Sequence, residues 1–216
     1  MPMMPVTYDE VRDKMRPGDV IAFGGKGHFS EIIKWATRAP VSHVGVILQT
    51  QLASGSSNDD FYNQVIESAS INGFSGVSVS NMSARLMYDG EIWWLPLSDA
   101  AREKFNEKQF VDFLLRQDHK PYDAPQAVTS ALDALDRAPG LGSLTRNRED
   151  FERFFCSELV AAGLEKASVI PNINASEVTP VDMCMFRLYT ADYYQLKGEQ
   201  KEIKGYNSVD PAGWAG

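Results

Sequence analysis

Apolar and polar positions alternate with two different rhythms along this chain, and the switches between them mark its elements. Thr7-Tyr8-Asp9-Glu10 has the form of a capping box, and Tyr8, Val11 and Met15 then recur at helical spacing, which predicts a short opening helix stopped by Pro17-Gly18. Asp19 to Phe23 reads as a strand broken by Gly24-Gly25-Lys26-Gly27. Phe29 to Thr37 reads as a helix whose apolar residues are Ile32, Ile33 and Trp35, and Ser42 to Leu48 as a second strand. Gln51 to Asp60 is polar and rich in Gly, Ser and Asn, hence a loop. Strand-forming runs follow at Gln64 to Glu67, Val77 to Ser80 and Glu91 to Pro96.

In the second half the helical period takes over. Ser98 caps a helix expected to run to about Gln117, with Phe110, Phe113 and Leu114 on one face. Ala131, Leu132 and Leu135 mark another helical piece ending near Pro139-Gly140. From Cys156 the positions Leu159, Val160, Gly163, Leu164 and Ala167 keep a helical period, so a thiol sits at the start of a helix with one buried face. Phe186 to Tyr189 is expected to add a strand, and 198–216 to be a loosely packed tail. Strands before helices predict an α+β fold, with an antiparallel sheet or small barrel packed against the helix that carries Cys156.

The chain of 216 residues has no low-complexity linker or internal repeat, so one domain is expected, with elaborations near 51–62 and 124–150. Its 21 basic against 29 acidic residues give a net charge of −8 without any basic run, which argues against a nucleic-acid partner. Residues 1–8 lack a basic region followed by an apolar core, and no apolar stretch is long enough to span a bilayer. A cytoplasmic protein is expected, with phage-borne or exported roles left open. Two cysteines, Cys156 and Cys184, form no disulfide framework.

Those cysteines bring in the chemistry. A helix start offers unpaired backbone N–H groups that favour a thiolate, and an imidazole close by lowers the thiol pKa further. His43 is the candidate imidazole. Strand alternation puts it on one face with Gly45 and Ile47, so the glycine leaves space beside the ring. Glu67, ending the apolar run Val65-Ile66, is the candidate to orient His43 through its other ring nitrogen. Cys184 has apolar neighbours and reads as core. Gly24-Gly25-Lys26-Gly27 lacks the spacing of a phosphate-binding loop, Gly73 to Val77 misses a nucleophile elbow at its last position, and His28, His43 and His119 have no metal-binding spacing. Neither cofactor nor metal is expected.

With these residues in place the chain resembles the circularly permuted NlpC-type papain-like cysteine hydrolases, in particular the YiiX/YebB-like group, relatives of the lecithin:retinol acyltransferase-like enzymes. The resemblance rests on Pro17-Gly18-Asp19-Val20-Ile21, Ala36-Thr37, Ser42-His43-Val44-Gly45-Val46, Val65-Ile66-Glu67-Ser68-Ala69, Lys120-Pro121-Tyr122-Asp123, Phe155-Cys156-Ser157-Glu158-Leu159-Val160 and Thr179-Pro180-Val181-Asp182, in that order. It implies a permuted papain-like fold in which histidine and acid precede the cysteine. By that likeness Cys156 is the nucleophile, His43 the base, Glu67 its orienter and Tyr122 a further binding residue beside the oxyanion.

The resemblance implies cleavage of an amide in a peptide or peptidoglycan stem through a thiol acyl-enzyme. Two alternatives stay open: hydrolysis or transfer of an acyl group from a lipid, and a non-catalytic module that captures lipid or peptide. The partner is accordingly a peptide, a peptidoglycan fragment or an acylated small molecule.

Overall fold

In the computed structural model, residues 2–26, 28–52, 61–71, 74–120, 154–175 and 178–214 are described. Strand β2 (Val20–Gly25) is buried along its whole length, as is β6 (Gly90–Leu95) beside it. A strand covered on both faces must be apolar throughout, and Val20-Ile21-Ala22-Phe23 and Ile92-Trp93-Trp94-Leu95 are. Around them runs a seven-stranded sheet, ordered β1 (Met3–Pro5), β7 (Tyr193–Lys197), β6, β2, β3 (His43–Leu52), β4 (Phe61–Ile71) and β5 (Phe74–Asn81). All neighbours are antiparallel except β1 and β7. The protein is therefore α+β, with a mostly antiparallel sheet, as the pattern of strands and helices predicts.

Two apolar layers flank the sheet. The smaller gathers Tyr8, Val11, Met15, Ile21, Phe23, Ile47, Val65, Met82, Ile92 and Trp94 under α1 (Tyr8–Val11) and α3 (Met82–Arg85). The larger holds Val44, Val46, Leu48, Ile66 and Trp93 together with residues of α5 (Glu107–Leu115), α6 (Phe154–Lys166) and α7 (Pro180–Met185). In α6 the positions Leu159, Val160 and Leu164 are buried as their period requires, as is Ala167 just past its end, and Ala161 is buried as well. Gly163 lets α5 come close: a β-carbon there would lie 3.2 Å from Leu114 Cδ2 and 3.3 Å from Phe110 Cε2.

The turn Pro17-Gly18-Asp19 is a structural lock. Gly18 has φ +89°, a left-handed conformation that favours glycine. The buried Asp19 carboxylate then accepts hydrogen bonds from Arg16 N at 2.9 Å, Trp94 Nε1 at 3.0 Å and Leu97 N at 2.8 Å, and pairs with Arg102. Four donors from three segments offset part of the cost of burying that charge, and burial still raises the Asp19 pKa.

Three expectations need correction. The helix expected from Ser98 to Gln117 is two helices, α4 (Asp99–Lys104) and α5, because Phe105 turns extended and Asn106 caps a new start by accepting from Gln109 N at 3.1 Å. Phe186 to Tyr189 is not a strand. Phe186 and Tyr189 form only isolated bridges, to Val209 and Leu97, and the strand β7 begins at Tyr193. The segment from Gly198 is not loosely packed, since Ile203 is 3% exposed and buried polar groups of the sheet take their partners from it. Trp93 Nε1 donates to Lys201 O at 3.1 Å, Ile203 N donates to Tyr193 Oη at 2.6 Å, and Lys201 Nζ reaches the buried Glu91 carboxylate at 2.5 Å. Trp35, one of the apolar residues of α2 (His28–Thr37), is 77% exposed. The elaboration at 124–150 and the helix around Ala131 lie outside the described residues, as does most of the elaboration at 51–62.

Candidate active site

His43 is the first residue of β3, paired in register with Phe23 of β2, whose ring centroid lies 5.3 Å from the imidazole. Glu67 comes from β4, the strand on the other side of β3. Its carboxylate oxygen Oε2 is 2.7 Å from His43 Nε2, and both side chains are buried. The space beside the ring expected from Gly45 exists and is filled. A β-carbon at Gly45 would stand 3.1 Å from Glu67 Cβ and 2.9 Å from Val65 Cγ1, so the missing side chain is what lets Glu67 approach the imidazole.

Cys156 is the third residue of α6, within the first turn, where backbone N–H groups have no partner inside the helix. That turn is tied down by Ser157, whose hydroxyl donates to Val178 O at 2.5 Å. Cys156 packs in the larger layer while His43 and Glu67 border the smaller one, and they meet at the first residue of β3. There the Cys156 side chain is hydrogen-bonded to the imidazole. Since Nε2 is taken by Glu67, Nδ1 is the nitrogen that serves the sulfur.

The electrostatics follow from these contacts. Burial by itself pushes the His43 pKa down, but the negative charge and hydrogen bond of Cys156, and then those of Glu67, outweigh it and raise it from 6.5 to about 9. Burial likewise acts to raise Glu67, and the hydrogen bond and charge of His43 together with the Arg85 guanidinium hold it below the usual carboxylate range. The imidazole thus lies between the Glu67 carboxylate and the Cys156 sulfur, and both contacts favour its protonated form. A cysteine and an imidazole in this arrangement have the chemistry needed to set a nucleophile beside an acid.

The sequence-predicted residues divide as follows. Cys156, His43 and Glu67 are brought together, and Tyr122 lies outside the described residues. Cys184 is buried on α7, where burial, then Asp182 and Cys156, push its thiol pKa well up, as suits a core cysteine. His119 is on the surface, 3.0 Å from Asp118. Among the described residues no group of three or more His, Cys, Asp and Glu side chains is placed to hold a metal ion. Cys156 has no exposed surface and His43 is 5% exposed.

One residue was missed. Arg85, closing α3, places Nη2 3.0 Å from Glu67 Oε2 and Nε 2.6 Å from Oε1. The Nε contact is an ion pair without hydrogen-bond alignment. The guanidinium lies over Phe23, at 5.0 Å, and near Tyr88, at 5.4 Å. Nothing in Met82-Ser83-Ala84-Arg85 sets this arginine apart in sequence. The only available signal was that a buried Glu67 would need a second cation.

No protein-family model and no curated protein matches the chain. Among solved structures it is similar to that of metalloprotein yiiX from Escherichia coli O157:H7, with 18% identity, a TM-score of 0.42, and coverage of 70% of this chain and 66% of that one. The chain thus spans slightly less than two thirds of that protein. A likeness of this size is too low to transfer a chemical role.

Proposed function

We propose that the protein is a cysteine hydrolase with Cys156 as nucleophile, His43 as acid and base, and Glu67 as the group that orients the imidazole. One observation carries the reading: a buried imidazole held at 2.7 Å by a carboxylate on one nitrogen and hydrogen-bonded to a helix-start cysteine on its other side. In this scheme the Cys156 thiolate attacks a carbonyl carbon and a C–S bond forms. Helix-start N–H groups stabilise the oxyanion, and the bond to the leaving group breaks as His43 delivers its proton there. Water then gives a proton to His43 and its hydroxide to the acyl-thioester, releasing acid and restoring the thiolate.

The sequence resemblance favours an amide of peptide or peptidoglycan-stem type. Among the described residues no helix is long and apolar enough to cross a membrane. The test is a panel of peptidoglycan fragments, N-acyl amino acids and phospholipid analogues, assayed with wild type and Cys156→Ala. Amide turnover that disappears in the variant supports the reading. Turnover confined to acyl lipids moves the activity to acyl transfer, and binding without turnover makes the protein a capture module.

A further inference from the structure

Glu67 is buried completely, yet its hydrogen bond with His43 stabilises it as a carboxylate only as long as the imidazole is a cation or donates from Nε2. The proposed reaction removes that cation every time His43 delivers its proton. A buried carboxylate facing a neutral ring then gains by taking up a proton. A protonated Glu67 donates to Nε2, and the ring proton moves to Nδ1. That tautomer points a donor, not a lone pair, at the sulfur and cannot accept a proton there.

Arg85 is the group whose charge does not change through this cycle. It approaches both carboxylate oxygens, at 3.0 Å and 2.6 Å, and it is fixed by packing over Phe23, the ring that also packs on His43. We infer that Arg85 is a positioning residue that sets the tautomer of His43: its permanent charge against Glu67 keeps the ring proton on Nε2 and the Nδ1 lone pair toward Cys156. The inference rests on the hydrolase reading for its purpose, but the tautomer is a property of the resting protein and is measured without substrate. Arg85 touches no reacting atom. It acts on Glu67, Glu67 on the ring, and the ring on the thiol.

The test uses ¹⁵N-histidine labelling of the full chain, which has three histidines. In Cys156→Ala, where no thiolate can recharge the ring, one- and two-bond couplings tell which nitrogen carries the proton once His43 is neutral. The expected result is Nε2–H with Arg85 present and a switch to Nδ1–H, or a mixture, in Cys156→Ala/Arg85→Met, with Arg85→Lys intermediate. In the background that keeps Cys156, Arg85→Met is expected to slow iodoacetamide capture of Cys156 at pH 7 by about tenfold or more, as removal of Glu67's charge by Glu67→Gln does, and the double variant to lose no more than either single one. Should Arg85→Met not fold, Arg85→Lys carries both readouts.

An unchanged Nε2–H tautomer and capture rate in the folded Arg85 variants, while Glu67→Gln alters both, overturn the inference and leave the hydrolase reading standing. If His43→Ala, Glu67→Gln and Arg85→Met all leave capture of Cys156 unchanged, both fall. A tautomer switch in a protein that turns over no substrate keeps the inference and removes the hydrolase reading.

Discussion

Replacing Gly45 by alanine tests how tightly the site is built, because the added methyl group enters the gap that Glu67 uses. Ordinary van der Waals contact begins near 3.4 Å, and the new carbon would stand 2.9 Å from Val65 Cγ1, 3.1 Å from Glu67 Cβ and 3.3 Å from Ile66 O. The first of these shortfalls, 0.5 Å, falls on a stiff β-branched side chain buried in the smaller core, and the second, 0.3 Å, on the residue that holds His43. Overpacking of this kind costs about 1–3 kcal/mol, and the entropy gained by removing a strand glycine returns about 0.5–1 kcal/mol. A net loss of about 1.5 kcal/mol corresponds to a fall in Tm of about 3–6 °C for a chain of this size. Shifting Glu67 also stretches the 2.7 Å bond to His43, so capture of Cys156 by iodoacetamide at pH 7 is expected to slow several-fold. Differential scanning calorimetry and mass-mapped alkylation read the two effects. A Tm that rises, together with an unchanged alkylation rate, refutes the argument that Gly45 makes room for the acid.

Further predictions concern the pH, the second thiol and the packed tail. Because the folded pKa of His43 is raised from 6.5 to about 9, its contribution to stability is complete below pH 6.5 and is lost as pH rises through about 9; the urea midpoint should decline over that window more in wild type than in Cys156→Ala, and equal slopes would remove Cys156 as the partner. Near neutral pH, iodoacetamide should modify Cys156 before Cys184, whose burial disfavours the thiolate, and peptide mapping that finds the reverse order reassigns the nucleophile. Ile203→Ala should cost about 2–5 kcal/mol in a chemical denaturation curve, and a loss under about 0.5 kcal/mol would show that residues from 198 onward contribute little to the core.

What could be read from sequence, and what could not, divides by the range of the interaction. The strand segments 20–23, 43–48 and 91–95 were legible because covered strands leave apolar runs, and α6 because its face repeats every three to four residues, whereas the ends at 24–25 and 51–52 read as loop. The helix start at Ser98 was legible from local capping, Ala101 N donating to Ser98 at 3.3 Å, whereas the capping box of Thr179 with Asp182 went unread. The break at Phe105-Asn106 was missed because it is set by a distant partner, Asn106 N donating to Ala167 O at 2.9 Å. The packing of Ile203 depends on hydroxyl, indole and carboxylate groups more than a hundred positions away or across the sheet, which no local pattern encodes. The trio Cys156, His43 and Glu67 could be proposed because each residue type is chemically marked, whereas Arg85 earns its place only from the buried charge it meets.

The thiol belongs to one apolar layer and its three polar partners border the other, with contact made where β3 begins. Sulfur reactivity is therefore a gauge of how the two halves of the molecule are clamped about the sheet. Loosening either half, by a hole cut far from the reactive centre or by mild denaturant, should part the pair and silence the sulfur while most secondary structure still persists, so that inactivation precedes global melting.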